Sequence, residues 1–468
     1  MGYNMDDERK SLADEFESSF SSGNLKYFDT HEFIEIIDFF LDQNETQKAE
    51  KAINNALIQH PNSTSISIRK ADWLFETNNF EEAEKEIDYI LEIDTNNSEA
   101  NELKGDILIH QENPVEGILH LQKALVYTDE KLELLSKIGV ELIQIDQLNK
   151  ALQFFLKILD EDVYDEAALY NSTYCYELLN QPDKAIQFLN KYIDKNPYSQ
   201  IAWHQLGIQY KALEKYENAI WAFDYATLVD DAFLGAFFEK ATCLEATDRH
   251  HEAIDIYKMS LKIADPTAWA YYRLGDAYAK IGDSENALTN YFKAIHEDPM
   301  YGKAWHKIAV TYNNNSQPEQ ALEFAEKAVE IEFDNKDFNS LLARLFLKLS
   351  NYEAAENIYE NLISLEVEDS EIWIEYAILL KTLGYEDDAI ELLLKSLAYF
   401  PKNAEILYRL TGCLFKKDKD LEAIDLLREA LKLDFNKKDI LKLNYPIIFN
   451  SEIVQDMIFA HKFQRKFL

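Results

Sequence analysis

The chain has 468 residues, 85 of them acidic and 47 basic, for a net charge of −38. That excess opposes non-specific association with nucleic acid or anionic lipid, whose phosphates attract basic surfaces. No signal peptide or membrane-length apolar run is legible, so a cytoplasmic location is expected, although the length alone would suit two or three globular domains.

Residues 1–29 are rich in Asp, Glu and Ser and are expected to be disordered, at least to Gly23. From Thr30 a different order begins. Ala49, Ala83, Gly117, Ala151, Ala185, Ala219, Ala253, Ala287, Ala321, Ala355, Ala389 and Ala423 follow one another at a fixed spacing of 34 residues. An unbroken period in this range marks an array of stacked repeats with no closed core. With Thr30 as position 1, twelve repeats run to Lys437.

Apolar residues at positions 4, 7 and 11 form one stripe of a first helix, and those at 20, 24 and 27 form one stripe of a second. Small residues at 8 and 20 let the two helices approach. Pro114, Pro182 and Pro318 fall at position 17, where a helix can start without the missing N–H. Pro61, Pro197, Pro299, Pro401 and Pro266 fall at positions 32 or 33, where it should end, and the turn around Pro266 could shift the next helix start. Gly282 and Gly384 occupy position 15, the turn between helices. The repeats from Thr64 and Ser98 fit least well. Lys70 and Lys104 stand at position 7, and Ser67 and Asn101 at position 4, so looser packing is expected there.

Residues 438–468 do not repeat. Pro446 should break a thirteenth first helix, and Ser451-Glu452 should open a capping helix with an apolar stripe at Ile453, Val454, Met457 and Ile458. Phe463, Phe467 and Leu468 are expected to fray beyond it.

The best repeat, Trp203, Leu206, Gly207, Tyr210, Ala219, Phe223 and Ala226, resembles the tetratricopeptide repeat, W-x2-L-G-x2-Y followed by A-x3-F. The resemblance covers residues 30–437. It implies an all-α, right-handed α-α superhelical solenoid of about twelve helix pairs, used for binding proteins.

Chemistry is sparse. The P-loop, GxGxxG, HExxH, GxSxG and CxxC patterns are missing from the sequence. His250-His251-Glu252 with Asp255 lacks further ligands nearby and reads as a solvated turn. Asp160-Glu161-Asp162 lacks the glycine of a calcium loop. Cys175, Cys243 and Cys413 share position 10, too far apart for disulfides. Neither a cofactor nor a metal is expected.

The resemblance places positions 2, 5, 6, 9, 12 and 13 on a concave face. Along the chain these positions give an acidic zone (Glu35, Asp38, Asp42, Asp72, Glu76, Glu99, Glu102, Asp106), then an aromatic one, then a basic one. The candidate partner-binding residues are Tyr170, Asn171, Tyr174, His204, Phe238, Trp269 and Tyr272, with Arg273, Lys303, His306, Lys307 and Arg344. Exposed aromatics beside arginine are common interface anchors. For Trp269 the alternative is packing on the preceding repeat. The expected role is a non-enzymatic scaffold or adaptor that grips a protein segment bearing apolar and acidic groups. A regulatory or targeting subunit of an enzyme complex is the alternative, an enzyme with an active site hidden in the groove or tail is a remoter one, and a homo-oligomer is compatible with the sequence but not indicated by it. The lysine–asparagine pair with which some family members grip a chain-terminal carboxylate is lacking in every repeat.

Overall fold

The computed structural model describes residues 2–21, 23, 26–263, 265, 267–365 and 369–464; Pro266, Phe467 and Leu468 lie outside them. Among the described residues all regular structure is helical. Twelve helix pairs run from Thr30–Asp42 with Thr46–Gln59 to Ala404–Lys416 with Asp420–Leu433, an α-α solenoid of tandem pairs. The chain divides into two compact bodies, Met1–Cys243 and Leu244–Leu468.

Local chemistry sets each pair. Many first helices are capped by the residue just before them: Asp29, Ser63, Asn97, Asp165, Ser199, Asn335, Asp369 and Asn403 each accept a backbone N–H through the side chain. Pro114, Pro182 and Pro318 open second helices at the first turn. Between the helices, position 15 has positive φ in every repeat, from Asn44 (56°) through Glu214 (57°) and Gly282 (80°) to Asp418 (57°). This left-handed residue ends one helix and lets the chain turn into the next.

The alanine ladder is buried throughout, with Ala49, Ala219, Ala287 and Ala423 fully enclosed. Position 8 shows why small residues are needed. A Cβ on Gly275 would lie 2.6 Å from the Tyr291 ring, inside any real carbon–carbon contact.

Of the two atypical repeats, the one from Ser98 is not loosely packed. A Cβ on Gly105 would lie 2.7 Å from Leu121, and one on Gly117 would lie 2.7 Å from the Gly105 carbonyl oxygen. Lys104 is buried but bridges Glu84 at 2.8 Å and Asp88 at 2.6 Å. Asn101 donates from Nδ2 to the carbonyls of Thr95 (3.0 Å) and Asn97 (2.8 Å). In the better repeats Trp203 and Trp305 donate from Nε1 to the carbonyls of Pro197 and Pro299, both at 2.9 Å. Asn101 and Asn339 thus make the same link as tryptophan, from position 4 to the carbonyl at position 32 of the repeat before.

The N-terminal segment departs from the disorder expected of it. Gly2–Ser21 is a helix whose Ala13 and Phe16 are buried in the first repeat's core with Phe28, Phe33 and Phe40. Arg9 pairs with Glu35, and Lys26 and Lys48 pair with Glu15 and Glu17 at 2.8 Å. Covering an otherwise exposed apolar end outweighs the unfavourable composition.

At the other end, Asp439–Asn444 stops before Pro446, and Glu452–Gln464 follows. Leu441, Tyr445 and Val454 are buried in the core of the last repeats, with Met457 and Ile458 partly so. Ile453, expected in the buried stripe, is exposed.

Candidate interaction surface

In the C-terminal body the first helices of repeats 8 to 11 line an open cavity of about 690 Å³. Every described residue on its wall belongs to a first helix or to the turn before one. Tyr272, Lys303, His306, Lys307 and Arg344 from the sequence candidates meet there. Positions 2, 5, 6 and 9 of successive repeats therefore share one face.

The cavity joins an apolar floor to charged edges. The rings of His306 and Phe338 stack with centroids 4.7 Å apart, and Tyr272 meets Tyr301 edge-on at 5.5 Å. Burial pushes the imidazole of His306 down to about 4, with Lys307 adding to the effect, so it is neutral at pH 7. Its Nδ1 is buried without a partner. A bare lone pair is a more tolerable orphan than an N–H. Its tautomer is thus the one with the proton on Nε2.

The basic groups differ from the sequence expectation in one respect: most are already paired. Arg344 lies 2.9 Å from both Glu375 oxygens and 3.3 Å from Glu371. Lys307 pairs with Asp276 at 3.2 Å. Arg273 donates to Glu245 at 2.7 Å and to the Tyr257 hydroxyl at 3.0 Å. Its guanidinium lies 6.0 Å from the Trp269 ring centroid, and Trp269 is 40% exposed. Lys303 is exposed and is left, with Lys336, as the unpaired cation of this wall among the described residues. Lys336 and Phe338 escaped the sequence reading, whereas Asp337, at face position 2, did not. Lys336 and Phe338 sit at positions 1 and 3, which the family's pattern does not assign to the face. The pairings were legible, because Glu371 and Glu375 occupy face positions opposite Arg344.

In the N-terminal body, Tyr170 and Tyr174 stack 6.5 Å apart and are 54% and 39% exposed. Asn171, His204 and Phe238 are half-buried. His204 lies between Phe223 (5.6 Å) and Phe233 (5.1 Å), and burial lowers its pKa. It is therefore a packed ring more than a contact residue. The acidic zone is stitched by single cations. Arg69 bridges Asp38 (2.6 Å) and Glu99 (3.2 Å), and Lys137 bridges Glu102 (3.1 Å) and Asp106 (2.7 Å). Asp72 has no such bridge, and burial pushes its carboxyl up to about 6, against Arg69 and helped by Glu76.

Little here resembles a reaction centre. The thiols of Cys175 and Cys243 are buried and pushed up to about 11 by desolvation, the opposite of an activated nucleophile. Among the described residues no three His, Cys, Asp or Glu side chains gather to hold a metal, the His250 cluster included. None of the described helices is long and apolar enough to cross a membrane.

Tetratricopeptide-repeat profiles match residues 40–107, 167–199, 270–299, 314–379 and 384–435. The chain belongs to the tetratricopeptide-repeat family. That family is generally a non-enzymatic protein-interaction fold. Relatives include a tetratricopeptide-repeat protein of Methanocaldococcus jannaschii, 27% identical over 228 residues, which are 47% of this chain and 40% of that one. YpiA of Bacillus subtilis is 22% identical over 178 residues, 38% of this chain and 42% of that protein. Anaphase-promoting complex subunit 3 of Schizosaccharomyces pombe is 24% identical over 205 residues, 43% and 30% of the two chains. The matches thus span well under half of these relatives' lengths. Among solved structures, the Cut9–Hcn1 hetero-tetramer of the anaphase-promoting complex aligns over 98% of this chain and 94% of its own, at 14% identity and a TM-score of 0.38. YrrB, described as a tetratricopeptide-repeat protein with an unusual peptide-binding site, aligns over 39% and 94%, at 17% identity and a TM-score of 0.33.

Proposed function

We propose that this protein is a non-enzymatic scaffold that holds an extended segment of a partner protein on the face formed by its first helices. The observation that carries this reading is the cavity of the C-terminal body, where aromatic floor and cationic edge from four consecutive repeats converge. Trp269 and Tyr272 supply apolar anchors. Lys303 and Lys336 supply the charge not already committed within the chain. The partner segment would be apolar with acidic groups. Three buried, unbridged cysteines support a reducing, cytoplasmic setting. Because one relative is a subunit of the anaphase-promoting complex, a subunit role in a larger assembly is the second reading.

The test starts from a partner identified by affinity capture and then purified. Trp269→Ala/Tyr272→Ala should weaken its binding by about 2 kcal/mol or more, as for central anchors elsewhere. Lys303→Glu/Lys336→Glu should weaken it and flatten its salt dependence. Parental affinity in both folded variants rules this face out, and Trp221, exposed on a second helix, becomes the next residue to change.

A further inference from the structure

A second cavity, of about 200 Å³, lies near the C-terminal end of the array, between the last two first helices and the capping segment. That is room for about six water volumes. It differs from the larger cavity in charge: among the described residues its wall carries Lys381 and Arg409 and not one carboxylate. In a chain of net charge −38 that is unexpected.

Lys381 is the centre of it. Its ammonium sits 3.8 Å from the centroid of the Tyr445 ring. Tyr445 is itself locked in place. It packs over Gly412, where any Cβ would collide with its ring, and its hydroxyl lies 3.0 Å from Sγ of Cys413. The nearby carboxylate of Glu386 is taken by Lys416, and Glu405 is taken by Arg409 at 2.8 Å. Among the described residues Lys381 thus has a π face for company and no carboxylate at ion-pairing distance, Glu386 acting on it only from further away. Desolvation lowers its pKa, as expected of a cation short of compensation. Other donors face the same space. Asn444 uses Nδ2 for one bond, to the Ile440 carbonyl at 2.9 Å, and has a second N–H to offer. Apart from Thr382, whose hydroxyl donates to the Ile378 carbonyl at 2.8 Å, the remaining wall is apolar, from Ala377, Ile378 and Leu393.

We propose that this cavity binds a carboxylate carried on a short apolar stem, with Lys381 as its ion-pairing group. Charge-assisted bonds from Lys381 and Asn444 would hold the carboxylate, and the stem would lie on Ala377, Ile378 and Leu393. A compact monoanion matches a wall with one uncommitted cation, whereas a phosphate would leave the apolar half unused. The carboxylate can belong to a free small acid or to the end of a peptide chain, and the probes separate the two.

The probes are 4-methylpentanoate, its neutral amide, N-acetyl-alanyl-leucine with a free carboxylate, and inorganic phosphate. Binding to the full chain is followed by calorimetry. In parallel, acetylation of Lys381 by an N-hydroxysuccinimide ester is measured by mass spectrometry against Lys395, an exposed-face control. The expected result is saturable binding of one or both acids, with Lys381 protected and Lys395 not. Lys381→Gln should weaken binding by about tenfold or more, as loss of a charged hydrogen bond does, while Lys395→Gln should leave it unchanged. Small-acid binding alone identifies a metabolite-like ligand, and dipeptide binding alone a chain end. The proposal is overturned if neither acid binds, if the neutral amide or phosphate binds as well as the acids, or if Lys381 stays equally reactive. The protection measurement needs no variant, so misfolding of Lys381→Gln would not protect the idea.

Discussion

Position 15 shows how a single residue is asked to hold an unfavourable backbone. All twelve repeats turn through positive φ there, yet only Gly282 and Gly384 are glycine. For Glu112 and Glu214, which have neither glycine's freedom nor asparagine's local hydrogen bonding, the left-handed conformation costs about 1–2 kcal/mol. Glu214→Gly should therefore stabilise the protein by about 0.5–1 kcal/mol, once glycine's larger unfolded-state entropy is subtracted. Gly282→Ala should destabilise it by a similar amount. Urea unfolding midpoints decide both, and a destabilised Glu214→Gly would defeat the argument. Asp72 is a second strained position, for electrostatic reasons. Its folded pKa of about 6 lies above its ordinary 3.8, so folding disfavours the charged form. The penalty is absent below pH 3.8, grows as pH rises through about 6, and is full above it. Asp72→Asn should then add on the order of 1–3 kcal/mol at pH 7 and nothing near pH 3. Burial sets the opposite sign at His306, whose folded value of about 4 lies below 6.5. Its neutral form contributes stability that is lost as pH falls from 6.5 through 4, a loss that His306→Gln should remove. Equal pH profiles for parent and variants would show that these groups are more solvated than their surroundings suggest.

At the scale of elements, the helix pairs were legible because several independent signals share one register: the alanine ladder, the prolines at position 17, and the stripes at 4, 7 and 11. What was not legible were the substitutes. Asn101 in place of tryptophan looked like a weak core position, but it makes the same bond to the carbonyl at position 32. Lys104 looked misplaced until Glu84 and Asp88, one repeat earlier, closed around it. The N-terminal helix was hidden by composition. Its stripe of Leu12, Ala13, Phe16 and Phe20 has helical spacing, but the surrounding Asp, Glu and Ser mask it. Both end elements cover apolar faces, so removing either should be costly. Truncation after Lys437 uncovers the surface that meets Leu441, Tyr445 and Val454. The truncated protein should melt at lower temperature or aggregate, and Val454→Asp should do the same with the chain length unchanged. Unchanged melting and a monomeric sedimentation profile for both would mean that the segment is ornamental.

For the whole molecule, the decisive fact is that contacts are local. The chain resolves into two compact bodies, and within each the helices of a repeat meet each other and those of adjacent repeats. In a repeat array stability is close to a sum of repeat and nearest-neighbour contributions, so no distant contact is needed for a block of repeats to fold. Residues 1–233, six repeats with the N-terminal helix, and residues 234–468, six repeats with the C-terminal cap, should each fold when expressed alone. Each fragment should keep the helical circular dichroism of its share of the chain and melt cooperatively, at a lower temperature than the parent because one end of each is newly uncovered. The same division separates the functions argued above. The cavity with Tyr272, Lys303 and Lys336, and the smaller one with Lys381, both belong to the second fragment. A partner held there should bind residues 234–468 within about tenfold of its affinity for the full chain, a loss of no more than ~1.4 kcal/mol. Failure of a folded second fragment to bind would mean that the partner's main anchors lie instead on Tyr170 and Tyr174 in the acidic half. In that case the attraction of acidic groups to the basic wall could not be what orients it.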